Sequence, residues 1–457
     1  MKAESPTHSS GIRKRPPGGN RLRTARMLVY LSWRNLWRNP WRSLLTAGAM
    51  VVGLTLMIAY LALMEGMFRQ MVGFATNIAL SHVQIHRDEF VNNQDPYALL
   101  PWELVEHLRE ESSFRFAPRA YAAGLGSAGN YSAGVLIKAV DPALEPKVTD
   151  LHRRIRQGRF ALETTGQARP GGPGTDPVPV FPVVIGHRLA KVLQVEVGGE
   201  MVLISQALDG SIGNGLFEVR GILAPIDPAF DRMGVVMSLE AFRELMALEG
   251  GVHELAVVVP DVALLDEAKA LLATAVEQWP GIGELPADGG GPVLVRTWKE
   301  INPALNDMIV SSRSFVYVMA VIVFLVAAMG ILNTMLMAVH ERRQELGLLR
   351  ALGMGRGALM AMVLLEAFFL SCFAGTAGTA VGVMLAWYLN VAGFDYSAWL
   401  PDGMDFMGVM LDPVFYGHLL PEHVWVSVAM MVATAMVAAL LPSWRTARLD
   451  PVRALHR

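Results

Sequence analysis

The chain has 457 residues, of which 53% are hydrophobic and only 18% are charged, and its mean hydropathy is +0.36. This composition is too apolar for an ordinary soluble domain, so we expect an integral membrane protein. The formal net charge is -2, and the single cysteine, Cys372, excludes an intramolecular disulfide bond.

The N-terminal segment, residues 1–42, contains ten Lys and Arg residues and one acidic residue. Trp33, Trp37 and Trp41 recur every four positions, which in a helix places their rings on one face. Because Trp prefers the membrane–water interface and the neighbouring Arg residues suit anionic headgroups, we predict an amphipathic interfacial helix. Residues 43–66 then form the first predicted span, since a helix needs about 20 apolar residues to cross a bilayer.

Residues 67–312 are predicted to form a large mixed α/β domain outside the membrane. The stretch "SHVQIHRDEF" alternates apolar and polar residues as strands do, whereas "ALLDEAKALLATAVEQW" has helical periodicity. The Gly- and Pro-rich stretch 166–180 predicts a surface loop, and Asp209 to Gly215 predicts the loop of a hairpin.

We expect no catalytic residue and no metal site in this domain. His82 and His86 are four positions apart, and we interpret them as an exposed strand face, because structural zinc needs four ligands. The sequence contains neither a GxSxG nor an HExxH motif.

Three further spans are predicted at residues 313–339, 357–394 and 424–442. Residues 341–356 hold four Lys and Arg against two acidic residues, residues 443–457 hold four against one, and residues 391–423 hold none against five. Basic flanks stay in the cytoplasm. Both termini (1–42 and 443–457) and the loop 340–356 are therefore predicted to be cytoplasmic, and residues 67–312 and 395–423 to be periplasmic.

The charged loop "ERRQELGLLRALGMGR", residues 341–356, lies between two strongly apolar spans. In a helix, Glu341, Glu345 and Leu349 form one line along its surface. Its leucines suit a groove on a partner protein, and Gly353 and the glycines after it would end the helix. An ordinary interfacial connector is the alternative. The sequence has no GxxxxGK[ST] phosphate-binding loop, so a separate ATPase is the partner we expect.

Several stretches resemble one known family. "ERRQELGLLRALGMGRGALMAMVLLEAFFL" resembles the coupling stretch and following span of the FtsX/MacB/LolC-LolE superfamily of ABC transporter permeases, and "LPSWRTARLDPVRALHR" resembles its C-terminal ending. "LSWRNLWRNPWRSLLT" and "VVIGHRLAKVLQVEVGGEMVLIS" are similar to its entry helix and to part of its periplasmic domain. A large external domain without a fused ATPase is closest in architecture to the lipoprotein-releasing permeases LolC and LolE.

The resemblance implies a four-span inner-membrane permease that works by mechanotransmission, in which a cytoplasmic ATPase moves the external domain. The implied contacts to the ATPase are Glu341, Arg342, Glu345 and Arg350, with Gly347 permitting close approach and Gly353 ending the helix. No cofactor is expected on this chain, because ATP and Mg would bind the partner ATPase dimer. The other implied partners are a second permease copy or paralogue, a lipoprotein or lipid-linked cargo and a periplasmic chaperone, and no nucleic acid is expected.

Three features within the spans are open to more than one interpretation. Glu366 is a charge in span three, which suggests function, but a structural pairing near the cytoplasmic boundary is the interpretation we favour. Gly375, Gly378 and Gly382 permit close helix packing within the chain or across a dimer. The methionines of span two suit either an acyl-chain cavity or plain lipid contact; these are Met319, Met329, Met335 and Met337.

Two functional classes follow from these features. The first is an ABC permease that releases lipoproteins or lipid-linked cargo from the outer leaflet. The second is an FtsX-like relay, in which the external domain regulates an envelope enzyme and no cargo moves. MacB-like efflux is a third, less favoured alternative. An apolar groove between spans one and two favours the first class, and a filled interface with an exposed apolar patch on the external domain favours the second.

Overall fold

The computed structural model describes residues 19–111, 114–163, 168–169, 178–285, 290–399, 404–406, 409–411 and 413–449. These residues divide into two units. We call the first the membrane bundle; it contains the chain up to Gly66, Arg313–Gly393 and the chain from Tyr416 onwards. We call the second the inserted domain; it contains Met67–Ser312 and Phe394–Phe415.

The elements are as follows in chain order. The helices are α1 (Gly19–Leu36), α2 (Pro40–Phe74), α3 (Asp88–Asn93), α4 (Trp102–Glu111), α5 (Glu145–Val148), α6 (His187–Leu193), α7 (Pro228–Met233), α8 (Leu239–Met246), α9 (Leu265–Gln278), α10 (Trp298–Ile301), α11 (Pro303–Glu341), α12 (Arg343–Ala351), α13 (Arg356–Ala392) and α14 (Pro421–Ala447). The strands are β1 (Val83–Arg87), β2 (Arg115–Ala128), β3 (Tyr131–Val140), β4 (Ile155–Gly158), β5 (Ala168–Arg169), β6 (Val178–Ile185), β7 (Glu200–Gln206), β8 (Ile212–Leu223), β9 (Gly234–Ser238), β10 (Glu254–Val258), β11 (Val293–Thr297), β12 (Phe394–Asp395), β13 (Met404–Phe406), β14 (Val409–Leu411) and β15 (Val414–Phe415). Short 3-10 helices lie at Leu151–Arg153, Val262–Leu264 and Pro280–Glu284, and a π-helical turn at Ala75–Leu80.

Among the described residues, four helices are long and apolar enough to cross a membrane: α2, α11, α13 and α14, which are spans one to four. The predicted fold class, four spans with a mixed α/β domain between the first two, is confirmed. The helices of spans one and two extend beyond the segments predicted to lie in the membrane. Helix α2 continues to Phe74, and α11 already begins at Pro303. Hydropathy predicts only the segment that lies in lipid, whereas the helix continues beyond it until the backbone conformation changes.

The N-terminal aromatic residues do not share one helix, which corrects the predicted interfacial helix. Pro40 begins α2, and a turn separates Trp33 from Trp41. The ring of Trp33 lies 5.8 Å from that of Phe369, and Ser32 Oγ donates to the Met362 carbonyl at 3.0 Å. Helix α1 therefore packs along span three, although Trp33 in this helix, Trp37 in the turn and Trp41 in α2 all stay largely exposed.

Glycines allow spans one and three to approach closely. A Cβ atom at Gly378 would lie 3.1 Å from Leu54, and one at Gly382 would lie 3.0 Å from Ile58. Gly375 faces span four, where a Cβ atom would lie 3.1 Å from the Met431 side chain. All three glycines therefore serve packing inside one chain.

In the described part of the inserted domain, eleven strands form one sheet in the order β11-β1-β10-β2-β3-β9-β6-β8-β4, with β5 on β6 and β7 between β2 and β8. Strand β3 is parallel to β9 and β6 is parallel to β8, whereas β2 pairs antiparallel with β3 along ten residues. The long β2 strand contacts β10 in its first half and β7 in its second half. It thereby links the two parts of the sheet.

The structure bears differently on two predicted loops of this domain. Within the stretch 166–180, residues 168–169 and 178–180 belong to strands β5 and β6, and residues 166–167 and 170–177 lie outside the described residues. The hairpin loop predicted at Asp209 to Gly215 ends at Ser211, because β8 begins at Ile212. Its tip is held to α8 by a hydrogen bond from the Leu208 amide to the Met246 carbonyl at 3.0 Å.

The segment predicted as a separate loop, residues 395–423, contributes its first part to the inserted domain. Strand β12 pairs with β15, and the ring of Tyr396 lies 4.8 Å from that of Phe415. Gln70 Nε2 donates to the Val414 carbonyl at 3.4 Å. Asp395, in β12, is therefore an exposed residue of this domain, and Glu422 lies in the first turn of span four, whereas Asp402 and Asp412 lie outside the described residues.

His82 and His86 are buried, so their interpretation as an exposed strand face is wrong. Strand β1 lies between β10 and β11, and all five of its residues are buried. The Val259 amide donates to His82 Nδ1 at 3.1 Å. Burial lowers the pKa of both imidazoles, which favours their neutral forms.

A buried ion-pair network centred on Arg119 joins four parts of the inserted domain. The guanidinium donates to both carboxylate oxygens of Glu145, at 2.8 and 3.0 Å, and to Glu254 at 2.8 Å. Its Nη1 also donates to the carbonyl of Leu80, the last residue of the π-helical turn, at 3.1 Å. Tyr121 completes the network by donating to Glu254 at 2.9 Å. Because every charged partner is hydrogen-bonded, the network fixes the start of β1 against β2 and α5.

The network shifts the pKa values of its members. Burial disfavours the charge on Glu145, but Arg119 and Lys138 outweigh this effect and lower its pKa to about 2. Burial, reinforced by Arg119, lowers the pKa of Lys138 to about 8. Burial also opposes the charge on Arg119, yet Glu145 and Glu254 hold its pKa above the usual value. At neutral pH Arg119 and Glu145 are therefore both ionised.

The Glu145→Gln variant removes one of the two carboxylates that neutralise Arg119. We expect it to destabilise the protein by about 3–5 kcal/mol, because a buried charge that loses its partner is costly. Urea denaturation of the full-length chain in detergent, followed by tryptophan fluorescence, measures the change. Glu249→Gln, at an exposed carboxylate, is the control and should stay within about 0.5 kcal/mol of the wild type.

The same variant has a defined pH dependence. The folded-state pKa of Glu145, about 2, lies below its ordinary value of 4.5, so its contribution to stability is complete above pH 4.5 and is lost as the pH falls towards 2. The wild type should therefore lose stability over this window more steeply than Glu145→Gln. Equal slopes, or equal denaturation midpoints at neutral pH, would contradict the role of this ion pair.

Candidate functional site: the coupling helix

The charged loop between spans two and three contains a short helix, α12 (Arg343–Ala351), which we call the coupling helix. Span two ends at Glu341, and Arg342 separates the two helices. After the coupling helix, Gly353 adopts φ +94° and its amide donates to the Arg350 carbonyl at 3.0 Å. This left-handed conformation strains other residues and reverses the chain towards span three, so Gly353 has a specific role in the turn.

Arg38 and Arg42, which flank the start of span one, hold the acidic residues of this loop. Nη1 and Nη2 of Arg38 donate to the two carboxylate oxygens of Glu345, and Arg42 donates to Glu341. The hydrogen bond from Arg38 lowers the pKa of Glu345, so this carboxylate stays ionised well below neutral pH. The coupling helix is therefore bound to the N-terminal end of span one.

Two arginines connect the loop to spans three and four. Arg342 Nη1 lies 3.2 and 3.3 Å from the two carboxylate oxygens of Glu366, which is buried in span three. Arg350 donates to the carbonyl of Ala447, the last residue of span four. Glu366 thus pairs with the loop before the coupling helix, in the structural arrangement that we favoured from the sequence.

The apolar inner face of the coupling helix packs within the chain. Leu346 is buried in a cluster with Leu28 of α1 and with Leu359 and Met362 of span three. Gly347 is also buried. Gly347 is therefore not available for close approach of an ATPase, which corrects its predicted role.

The four charged residues expected to contact an ATPase also have partners inside the chain. Glu341 binds Arg42 in span one, Glu345 binds Arg38 in the turn before it, Arg342 binds span three, and Arg350 binds span four. The expectation came from the family resemblance together with helix geometry, neither of which identifies these partners. The charges position the coupling helix on the membrane bundle.

The exposed face of the coupling helix is mainly apolar. Leu348 is 51% exposed and Leu352, four residues later, is 77% exposed. Gln344 and Ala351 continue this face, which we call the docking face (Gln344, Leu348, Ala351 and Leu352). The spacing of residues 344, 348 and 352 is the helical repeat that could have identified the face from the sequence. From the sequence, the leucines of this loop were assigned to a partner groove together, without distinguishing buried Leu346 from exposed Leu348 and Leu352.

The four methionines proposed as an acyl cavity do not converge. Met335 is buried, whereas Met329 and Met337 are exposed and Met319 is partly buried. The apolar crevice in the bundle is small, with a volume of about 20 Å³. It is lined by Met50, Gly53, Leu54, Val323, Phe324, Ala327, Ile331, Met431 and Thr434.

No metal centre is formed by the residues that the structure describes, since no three His, Cys, Asp or Glu side chains are grouped to bind one. The larger cavity of the inserted domain, about 240 Å³, lies between α4, β2 and α5. Its lining mixes aromatic rings such as Trp102 and Phe116 with charged residues at the surface. This chemistry suits binding better than catalysis.

Two family models match the chain. The MacB-like periplasmic core domain matches residues 43–275, about half of the chain, and the FtsX-like permease C-terminal domain matches residues 317–451. The second match includes the coupling helix and spans two to four. The matched residues thus contain both the inserted domain and the candidate site.

Curated relatives agree with these models. The chain is 24% identical over 450 residues to the lipoprotein-releasing system transmembrane protein LolC of Neisseria meningitidis serogroup B, covering 92% of this chain and 95% of that protein. It is 22% identical to the macrolide export ATP-binding/permease protein MacB of Nitrosomonas europaea, covering 93% of this chain but 58% of that protein. Among solved structures, the periplasmic region of MacB from Actinobacillus actinomycetemcomitans aligns with a TM-score of 0.35 at 11% identity, covering 52% of this chain and 97% of that one.

These matches confirm the resemblance found in the sequence, and the four spans confirm a membrane protein. The chain belongs to the FtsX/MacB/LolC superfamily of ABC transporter permeases, with a MacB-like periplasmic core domain inserted between its first two spans.

Proposed function

We propose that this permease releases lipoproteins or other lipid-linked cargo from the outer leaflet of the inner membrane, driven by a separate ATPase. The observation that carries the proposal is the coupling helix, which is braced by four spans and α1 and leaves an apolar docking face exposed. Full-length similarity to a protein named as a lipoprotein-releasing LolC supports the choice of cargo. The 457 residues contain no phosphate-binding loop, which favours nucleotide binding on a partner.

The docking face has the chemistry of a partner contact. Leu348 and Leu352, four residues apart on a charged loop, are costly to expose to water. A partner groove that covers both side chains removes this cost. The ion pairs around them transmit force, because a push on the coupling helix reaches spans one, three and four through Arg38, Arg342 and Arg350. In this proposal the ATPase binds the leucines, and the charges carry the movement onward.

The proposed orientation follows the charges of the flanks. The segments on the coupling-helix side carry an excess of Lys and Arg, and the segment after span three carries only acidic charges. The coupling helix and both termini are then cytoplasmic, and the inserted domain is periplasmic.

A transmembrane relay is the second candidate, and one surface of the inserted domain favours it. The outward face of four neighbouring strands, β3, β2, β7 and β8, exposes a row of aliphatic side chains. They are Leu136, Leu125, Val202, Ile204 and Ile212. A regulated envelope enzyme could bind such a surface, and the crevice of about 20 Å³ is too small for an acyl chain as it stands.

Replacing a leucine of the docking face with aspartate tests its contact with the ATPase. Leu348→Asp and Leu352→Asp should each reduce co-purification of the ATPase at least tenfold, because a charge buried in an apolar contact costs more than about 1.4 kcal/mol. Quantitative mass spectrometry of the complex in mild detergent gives the ratio. Leu264, in the inserted domain, is also 51% exposed, so Leu264→Asp is a matched control that should retain the ATPase. Full retention by both docking-face variants would remove the basis for this contact.

Charge exchange tests whether the Arg38–Glu345 ion pair positions the coupling helix. Arg38→Glu and Glu345→Arg should each lower stimulated ATP hydrolysis a few-fold and not abolish it, since an exposed ion pair is a weak interaction. The double variant R38E/E345R restores opposite charges and should recover most of the activity. If the double variant is no better than the single ones, the pair does not position the helix. Normal hydrolysis in both single variants would exclude a role in coupling.

Affinity purification of the intact complex in mild detergent, with mass spectrometry of proteins and lipidated species, distinguishes the two candidate functions. An ATPase, a second permease and acylated protein are the expected result for lipoprotein release. An ATPase together with an envelope hydrolase, without lipidated protein, would replace release with the relay.

A further inference from the structure

Spans one and two are joined by an ion pair at each end. At the coupling-helix end, Arg42 of span one binds Glu341 of span two. At the end that leads into the inserted domain, Arg313 Nη2 of span two lies 3.3 and 3.5 Å from the Glu65 carboxylate oxygens of span one. Residues 42 and 65 are about 35 Å apart along the helix at ~1.5 Å per residue, close to the ~30 Å hydrocarbon core. The two pairs therefore mark the two membrane surfaces.

Between the pairs, the two spans are in loose apolar contact. The crevice of about 20 Å³ lies here, with Gly53 on span one and Ala327 on span two among its lining residues. No other heavy atom lies within 4 Å of the position that a Cβ would occupy at Gly53. Little side-chain interlocking therefore opposes separation of these helices in the middle of the membrane.

The two ion pairs are not equally secured. The Arg42–Glu341 pair adjoins the Arg38–Glu345 and Arg342–Glu366 pairs, which form one group around the coupling helix. In the Glu65–Arg313 pair, the Glu65 side chain is 11% exposed whereas the Arg313 side chain is 55% exposed. The Arg42 and Glu341 side chains are themselves 24% and 42% exposed, but the N···O distances of 3.3 and 3.5 Å in the Glu65–Arg313 pair are long for a charge-assisted hydrogen bond. The pair at the inserted-domain end is therefore the easier one to open.

We propose that Glu65 and Arg313 form a latch, and that its release opens the crevice between spans one and two to a hydrocarbon chain from the bilayer. The occupant is a hydrocarbon chain because the crevice is lined by aliphatic, aromatic and thioether side chains, with Thr434 as its hydroxyl-bearing member. It enters sideways, because the crevice lies between the membrane surfaces that the two ion pairs mark. This inference rests on the proposed function and identifies where the acyl part of the cargo would enter.

A fluorescence measurement tests the latch in the full-length chain, co-purified with its partners and placed in lipid vesicles. On a Cys372→Ser background, Ala327→Cys carries a bimane label in the crevice. Val326→Cys is the matched control, since this neighbouring side chain is 65% exposed and faces lipid in every state. A phospholipid with a doxyl group on its acyl chain quenches the label on contact.

Opening the latch should increase quenching at position 327. With Glu65→Gln or Arg313→Gln, we expect a roughly fivefold larger open fraction, which corresponds to about 1 kcal/mol. Quenching at 327 should then approach the value at 326, and the exchange variant E65R/R313E should return it to the wild-type level. Quenching at 326 should not change, and this serves as the check that each variant is folded.

Two results would overturn the latch: unchanged quenching at 327 in both single variants, or an exchange variant that stays as open as they are. A diacylated peptide with the same doxyl group identifies the source of the chain. Quenching by the peptide alone assigns the crevice to lipidated protein, and quenching by both probes assigns it to acyl chains in general. The readout needs neither ATP nor native cargo, so the latch stands or falls independently of lipoprotein release.

Discussion

Charge cannot enter the hydrocarbon core without a large energetic cost, and this constraint organises the membrane bundle. The charged residues that define the bundle lie at the ends of its helices and are paired there: Glu65 with Arg313 at one surface, and Arg42 with Glu341 at the other. Glu366 follows the same rule, because its partner Arg342 lies just outside span two. The coupling helix is held by this second group of charges, so the same physics that sets the depth of the spans also fixes the position of this helix.

The spans and their order could be predicted from the sequence, because long uncharged runs between charged flanks have few alternative structures. The roles of the coupling residues could not. Glu345 was selected as a contact to an ATPase, yet its partner within the chain, Arg38, lies 307 positions away, and periodicity within one segment cannot reveal such a partner. The two exposed leucines were noticed for their cost in water, but only packing shows that Leu346 and Gly347 face inward while Leu348 faces outward.

The inserted domain illustrates the same limit. Alternation and helical periodicity predicted a mixed α/β domain, but not the strand order, which depends on pairings between distant segments. Arg119 contacts Glu145 and Glu254, which are 26 and 135 positions away, and no local pattern distinguishes it from a surface arginine. His86 was misjudged for a related reason: alternation in β1 suggested one exposed face, whereas α3 and the neighbouring parts of the domain leave no residue of this strand exposed.

The glycine contacts determine which spans of the bundle are packed tightly against one another. A side chain larger than hydrogen at Gly378 or Gly382 would meet span one at about 3 Å, so spans one and three can neither slide nor rotate past each other freely. Span four is tied to span three through Gly375. Span two lacks such an anchor among the contacts described for the glycines, and only 22% of its most apolar stretch is buried, against 50% for span one. Spans one, three and four are therefore held together by these glycine contacts, and span two, which has the smallest buried share of the four, is the helix that can shift at the least cost in packing.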